Sequence, residues 1–388
     1  MTLRWLLCLI YALVFSSSAL AQTGDASVRA LGASPVHRSS QAGSSPLVLH
    51  ASGDLVVAAE GVLRASSEGE TRWHHRDPTV VDVGTTPDGG IYGLALAQPD
   101  LRPGRVTLTR HRPDGSVEWR HAFRERNDPY STPQVEGAHD GGVLVCRAKV
   151  SGSRVVPVLD KLDARGRVVW SRTLASAGQC HALDAEGEWI AWAGARATGG
   201  TWLAQVERLD ATSGHVSWAS TFESYPIVQE IALDADGAVT VLGEFPNRVD
   251  LLPGPRTQLA EGRGYTTFVT RFDAKGDADW AWASDRTEQG AALLRRGTET
   301  ILIGKGYATH FDAEGNVVQR ETFGYPVRDG IRSVPFLKVS AAIVDARGAV
   351  VIVGGLPEPE AIGFASYYLW SSEPYDGPRG AVLMRPGW

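Results

Sequence analysis

The chain has 388 residues and a formal net charge of −6 at pH 7, with 21% of its residues charged. General nucleic-acid binding requires a basic face, so this mildly acidic composition argues against that class of function. The length is sufficient for one large hydrophobic core or two ordinary ones.

The N-terminus reads as an export signal. Arg4 precedes an apolar run over residues 5–15, which is too short to span a bilayer comfortably, and Ala19-Leu20-Ala21 forms a small-residue cleavage site. We therefore expect residues 1–21 to be a signal peptide cleaved after Ala21, and the mature chain to be a secreted or periplasmic monomer without a transmembrane span. An uncleaved anchor is the alternative.

Cysteine usage points the same way. Cys8 lies inside the predicted leader, so Cys146 and Cys180 are the cysteines of the mature chain. An exported protein with one possible pair is expected to form a single disulfide. Two buried free thiols are the alternative.

A glycine followed four residues later by tryptophan recurs along the chain. The copies are Gly69–Trp73, Gly115–Trp119, Gly166–Trp170, Gly214–Trp218 and Gly276–Trp280. A sixth copy, "FDAEGNVVQ", keeps Gly315 but has Gln319 at the tryptophan position. Most copies carry an aspartate shortly before the glycine. Self-similarity of this kind indicates a repeat architecture.

A second motif alternates with the first: an apolar stretch, a turn centred on glycine, and then alternating apolar residues. Its glycines are Gly53, Gly89, Gly141, Gly187, Gly237, Gly297 and Gly348. Seven units of about fifty residues result. Each unit predicts four short strands joined by Asp-Gly-type turns. The sequence therefore predicts an all-β fold, a seven-bladed β-propeller of four-stranded blades.

The two ends of the repeat array are unequal. The seventh unit has "AAIVD", "AVVIVG" and "GAVLMRP", and its fourth strand is missing. An open edge strand invites aggregation, so we expect a segment within residues 26–39 to complete the last blade beside residues 380–385. A disordered N-terminal segment is the alternative. The predicted organisation is a signal peptide (1–21), an N-terminal segment with the ring-closing strand (22–45) and the propeller (46–388).

The repeats resemble known propeller families. "LDATSGHVSW", with its Asp-x-x-x-Gly-x-x-x-Trp core, resembles the repeat of pyrroloquinoline-quinone-type propellers, and the fifth unit, "IALDADGAVTVLGEF…FVTRFDAKGDADWAW", is similar to secreted bacterial SBBP-type repeats. The resemblance implies that the motif tryptophans are structural and pack between neighbouring blades. They are Trp73, Trp119, Trp170, Trp218 and Trp280. Gln319 then implies a weaker junction after the sixth blade.

Enzyme signals are sparse. Quinoprotein dehydrogenases usually have eight blades, an adjacent cysteine pair and a calcium site, and this chain departs from all three. No catalytic residue, cofactor or metal is predicted. His74 and His75 point to opposite faces of a strand, and Asp234 with Asp236 reads as a turn. A hydrolase or lyase with a site in the propeller funnel remains the alternative to a binding module.

The long connections carry the candidates for binding. Residues 95–104, 244–264 and 356–379 are longer than other connections, and they lie on the side opposite the short Asp-Gly turns. Tyrosine, tryptophan and arginine are common binding anchors, so a protein or carbohydrate ligand is expected there. The candidate residues are Tyr130, Tyr225, Tyr325, Tyr367, Tyr368, Trp370, Arg124 and Arg328, and Arg126 belongs to the same connection as Arg124.

Overall fold

The computed structural model describes residues 11–14, 27–30, 47–58, 61–66, 70–97, 103–129, 131–175, 178–199, 201–223, 226–254, 256–262, 265–284, 290–304, 307–322, 338–344, 350–355 and 381–385. In these ranges the chain forms strands and turns, without a helix. It follows that the described residues include no helix long and apolar enough to cross a membrane.

Two short strands precede the repeats, β1 (Tyr11–Val14) and β2 (Ser27–Ala30). The first unit then folds as four antiparallel strands in chain order. They are β3 (Leu47–Leu49), β4 (Leu55–Ala58), β5 (Gly61–Ala65) and β6 (Thr71–Arg76).

The second and third units have the same up-and-down order. The strands of the second are β7 (Val80–Thr85), β8 (Ile91–Ala97), β9 (Gly104–His111) and β10 (Val117–Asn127). Those of the third are β11 (Gln134–Gly137), β12 (Val143–Ser151), β13 (Arg154–Leu162) and β14 (Val168–Thr173). A single pairing, Asn127 with Lys149, joins the two units into one eight-stranded sheet.

The fourth unit has β15 (Gly178–Glu186), β16 (Trp189–Thr198), β17 (Thr201–Asp210) and β18 (Val216–Phe222). The fifth has β19 (Ile227–Leu233), β20 (Val239–Phe245), β23 (Thr266–Phe272) and β24 (Ala278–Ala283). Between β20 and β23 it inserts a small hairpin, β21 (Arg248–Asp250) and β22 (Leu259–Glu261).

The sixth unit has β25 (Gly290–Arg296), β26 (Glu299–Gly304), β27 (Tyr307–Phe311) and β28 (Val317–Thr322). The seventh contributes β29 (Lys338–Val344), β30 (Val350–Gly355) and β31 (Ala381–Arg385). Its sheet is extended by the N-terminal strands, in the order β29-β30-β31-β1-β2.

The strand that pairs with β31 differs from the predicted one. β1, which lies within the apolar run assigned to the signal peptide, pairs with β31 in parallel, and Tyr11 is opposite Val382. β2, which falls in the segment predicted to close the ring, pairs with β1 one place further out. In the uncut chain both segments are present, and "YALV" is more apolar and more strand-prone than "SVRA", so it competes better for the open edge.

Apolar cores lie between neighbouring units. Separate clusters of buried side chains combine residues of the first and second units, the second and third, the third and fourth, the fourth and fifth, and the fifth and sixth. The first strands of successive units contact one another, and β29 of the seventh unit also contacts β3 of the first. The sheets are therefore arranged face to face about their first strands.

The connections between strands differ in length at the two ends of the sheets. The hairpins between first and second strands and between third and fourth strands close with tight turns; in "DATSGH" Asp210 accepts a hydrogen bond from the Ser213 N–H at 2.7 Å, and Gly214 has a φ of 70°. We call this end the turn side. The opposite end, the loop side, has the connections between second and third strands and between units.

Candidate functional site

Each motif tryptophan packs against the motif glycine of the next unit. The ring of Trp73 lies on Gly115, Trp119 on Gly166, Trp170 on Gly214, Trp218 on Gly276 and Trp280 on Gly315. A Cβ atom at Gly276 would lie 2.6 Å from the Trp218 ring, so only glycine fits beneath it. The same glycine has a φ of 87°, which L side chains rarely adopt. The recurring motif is therefore an inter-unit contact.

The indole N–H adds a hydrogen bond at three of these junctions. Trp73 donates to Pro113 O at 2.9 Å, and Trp119 donates to Ala164 O at 3.0 Å. Trp280 donates to Ala313 O at 3.1 Å. In each case the acceptor belongs to the outer turn of the following unit.

A cation stands directly opposite each motif tryptophan on the third strand, and the sequence reasoning missed it. The pairs are Arg64–Trp73, Arg110–Trp119, Lys161–Trp170, Arg208–Trp218 and Arg271–Trp280. The signal was present in the sequence, because the cation precedes the tryptophan by nine residues in four units and by ten in the fourth.

The cations of the first four units each donate to a backbone carbonyl of the following unit, whereas Arg271 binds Asp234 of its own unit. Arg64 binds Asp54 of its own unit at 2.8 Å and donates to Pro113 O of the next at 3.2 Å. Lys161 repeats the arrangement with Asp140 at 2.6 Å and Ala211 O at 2.8 Å. Charge-assisted hydrogen bonds in such partly buried positions are stronger than neutral ones. Tryptophan, glycine and cation together form what we call the docking triad.

The sixth unit has lost the triad at two positions simultaneously. His310 replaces the cation and pairs with Gln319 in the register where the other units have tryptophan. His310 binds Glu299 within its own unit at 2.6 Å. Both positions that reach the following unit at the earlier junctions have therefore changed in the sixth unit.

Acidic side chains join the first strands of the units. Asp82 accepts from the Val135 N–H at 2.8 Å, Asp184 from the Leu233 N–H at 2.7 Å, and Glu230 from the Leu293 N–H at 2.7 Å. Each acceptor thereby reaches the first strand of the following unit. Burial raises the pKa of Asp184 to about 6 and that of Glu230 to about 8.

Glu136 lies on the first strand of the third unit, between Asp82 and Asp184 in the order of units. Burial raises its pKa well above the usual range, and the charges of Asp184 and Asp82 add to the effect. Glu136 and Asp184 are both half-buried, and two neighbouring carboxyls with raised pKa values are a common arrangement for proton transfer. Among the described residues, however, no group of three histidine, cysteine or acidic side chains is placed to hold a metal ion.

Cys146 of β12 and Cys180 of β15 form a disulfide, with an S–S distance of 2.15 Å and a Cα–Cα distance of 6.1 Å. It joins the third unit to the fourth. Both cysteines belong to the apolar cluster between these two units, so the covalent link lies in the same place as the packing contacts.

On the loop side, Arg124 is the one binding candidate that falls within the described ranges. It is exposed and lies in an irregularity of β10, between Ala122 and Arg126. The remaining loop candidates lie outside the described residues: Tyr130, Tyr225, Tyr325, Tyr367, Tyr368, Trp370 and Arg328.

The long insertion of the fifth unit turns toward the side of its sheet. Arg256 donates to Asp279 O at 3.3 Å and Gln258 donates to Ala281 O at 3.2 Å, and both acceptors belong to the outer strand β24. Val249 and Leu251 are buried in the core between the fourth and fifth units. The hairpin thus covers an edge strand, which blocks unwanted strand pairing.

The arrangement of the sheets is similar to that of a solved propeller. The Dos1 propeller superposes with a TM-score of 0.53 at 12% identity, covering 89% of each chain. The chain has a β-propeller fold. At this identity the likeness establishes the fold of the propeller and not its activity.

Two further solved structures are similar with TM-scores below 0.5. They are the Neurospora crassa Pan2 WD40 domain (0.49, 13% identity, 80% of this chain and 86% of that one) and the polysaccharide lyase Uly1 (0.49, 12% identity, 97% of both chains). No protein-family model and no curated protein matches the sequence.

Proposed function

We propose that the propeller is an exported, non-catalytic binding module that holds a protein or carbohydrate ligand on its loop side. The observation that carries this proposal is the docking triad. Its tryptophan and glycine join neighbouring units at five junctions, and its cation adds a hydrogen bond to the next unit at four of them. The most regular feature of the sequence therefore builds a rigid support. Binding residues are commonly found on the connections that such a support positions.

The ring is proposed to have seven blades, of which the last is completed from the N-terminus. Contacts between successive first strands, and between β29 and β3, support this closure. Cleavage after Ala21 would remove β1, and Ser27–Ala30 would then take its place beside β31. A cysteine pair, Arg29→Cys with Leu383→Cys, should cross-link in the chain that begins at Gln22. The pair Ser39→Cys with Leu383→Cys, in which Ser39 lies outside Ser27–Ala30, is the control. If Arg29→Cys and Leu383→Cys cross-link no better than this control in the folded chain, Ser27–Ala30 does not replace β1.

An enzyme is the second candidate. Glu136 and Asp184 favour it, because both are half-buried carboxyls with raised pKa values on neighbouring first strands. The hypothesis predicts that Glu136→Gln abolishes turnover of any glycan or peptide that the wild-type protein degrades, while the melting temperature is maintained. Unchanged turnover in this variant would exclude the pair as the catalytic groups.

The binding proposal is tested with the exported protein on a glycan array and in a pull-down from the culture medium and the cell-envelope fraction of the producing cells. The loop-side prediction is tested with Tyr225→Ala/Tyr325→Ala, which should lose the enriched ligand. Enrichment that is equal for both proteins would contradict the role of these tyrosines. An absence of any enrichment above a denatured control would contradict binding itself.

A further inference from the structure

Two arginines face each other across the outer hairpin of the second unit. Arg105 of β9 and Arg126 of β10 are direct partners in the antiparallel register, and both are exposed. Directly opposed residues have Cβ atoms about 5 Å apart, and like charges at that distance destabilise a sheet. Exposed Arg124 lies beside them in the irregularity that ends at Arg126. We call these three residues the arginine group.

The acidic residues of the same strand are occupied elsewhere. Glu118 is 3.4 Å from Arg110, and Glu125 is 3.4 Å from Arg147. Arg147 is itself fixed by Asp160 at 2.8 Å, and its guanidinium lies 4.6 Å from the Phe123 ring centre. Within the described part of the chain, the arginine group is therefore left without an ion-pair partner.

The hairpin places the arginine group on the loop side. β9 begins at Gly104, directly after the connection from the second strand, and β10 ends at Asn127, before the connection to the third unit. An anion between Arg105 and Arg126 would remove their mutual repulsion. The planar guanidinium binds carboxylate and sulfate groups through two parallel hydrogen bonds, so it suits such an anion better than an ammonium does.

The surroundings indicate which kind of anion fits. Protein interfaces have an apolar core with aromatic anchors. The exposed large apolar side chains of the described residues all lie in other units; they are Val168, Val169, Trp202, Leu259, Tyr265, Val317 and Val318. A net charge of −6 also disfavours long contacts with nucleic acid. A flexible chain with anionic groups spaced along it needs only a shallow, exposed group of arginines.

We propose that Arg105, Arg124 and Arg126 bind the carboxylate or sulfate groups of an acidic polysaccharide. This site rests on the proposed binding role of the loop side and specifies its ligand class. Arg124 was a candidate from the sequence, and the structure adds Arg105 as its neighbour across the hairpin.

The test measures binding of the exported protein to polygalacturonate and to dextran sulfate, with neutral dextran and polyglutamate as comparisons. The variant is Arg105→Gln/Arg124→Gln/Arg126→Gln. The matched control is Arg112→Gln/Arg165→Gln/Arg320→Gln, which removes the same charge, and its Arg112 lies in the turn at the other end of the same hairpin. Melting temperatures are recorded for all three proteins.

The arginine-group variant should bind the acidic polysaccharides at least tenfold more weakly at low salt, and the control should change less than twofold. Wild-type binding should weaken with added salt, and this salt dependence should be shallower in the variant. Its melting temperature should be equal to or above that of the wild type, because a repulsion has been removed.

Three results would overturn the site. Equal binding of acidic polysaccharide by wild type and variant would place the polymer elsewhere while leaving the proposed binding function intact. Tighter binding of polyglutamate would point to an acidic protein partner. No binding of any acidic polysaccharide would exclude this ligand class, and the array and pull-down would then decide separately whether the protein is a binding module.

Discussion

The contact between Trp218 and Gly276 allows the docking triad to be tested by a double-mutant cycle. Trp218 is half-buried, packs on Gly276 and lies 5.6 Å from the Phe272 ring centre. Replacing a fully buried tryptophan by alanine costs about 3–5 kcal/mol, so half-burial predicts about 2 kcal/mol for Trp218→Ala. With an unfolding entropy of about 2.1 cal/mol/K per residue over this chain, the melting temperature should fall by about 2–3 °C.

Gly276→Ala should be destabilising for two reasons, the positive φ and the clash with the ring. In the Trp218→Ala background the ring contacts at 2.6 Å are removed and only the close approach of the residue 218 Cβ, at 3.0 Å, is kept. A smaller cost should therefore remain, of which the backbone accounts for about 1 kcal/mol. Gly187→Ala is the control, because Gly187 also has a positive φ, of 57°, but has open space around it. Denaturant unfolding of the four proteins should give a coupling free energy of at least about 1 kcal/mol. If Gly276→Ala costs the same in both backgrounds, the docking account is wrong.

Two further predictions concern the junctions between units. The folded-state pKa of Glu230, about 8, lies above that of an unfolded glutamate, so the protonated group stabilises the fold at low pH and this contribution is lost as the pH rises to 8. Glu230→Gln does not titrate, so in thermal melts it should gain stability relative to wild type between pH 5 and pH 8. A difference in stability that stays constant over this range would refute the raised pKa. The Cys146–Cys180 disulfide closes a loop with a sequence separation of 34, so its reduction should lower the free energy of unfolding by about 3–4 kcal/mol. The stability of a Cys146→Ala/Cys180→Ala variant should not change when a reductant is added.

The repeat was visible in the sequence because strand turns and packing tryptophans recur at fixed intervals. The aligned repeats also contain the packing partner of each tryptophan, because that partner is the glycine of the same motif in the next unit. The cation opposite the tryptophan recurs as regularly, but arginine and lysine are common surface residues and do not stand out. Only the pairing register shows that Arg64 and Lys161 serve the same contact.

Other features depend on which strands become neighbours, and the sequence has no local signal for them. Glu230 is an ordinary strand residue until β25 of the next unit brings the Leu293 N–H against it. Arg105 and Arg126 are 21 positions apart in the chain, and their opposition follows from the hairpin register. The insertion of the fifth unit was predicted to be a loop-side decoration, whereas Arg256 and Gln258 attach its tip to β24.

Hydrogen exchange of the exported protein with and without polygalacturonate tests the central claim, that the arginine group on the loop side of the propeller binds the ligand. The account predicts slower exchange at residues 104–107 and 123–129, where the arginine group lies, and unchanged exchange in the turns at 112–116, 163–167 and 273–277. Protection confined to those turns, or protection that persists in Arg105→Gln/Arg124→Gln/Arg126→Gln, would contradict it.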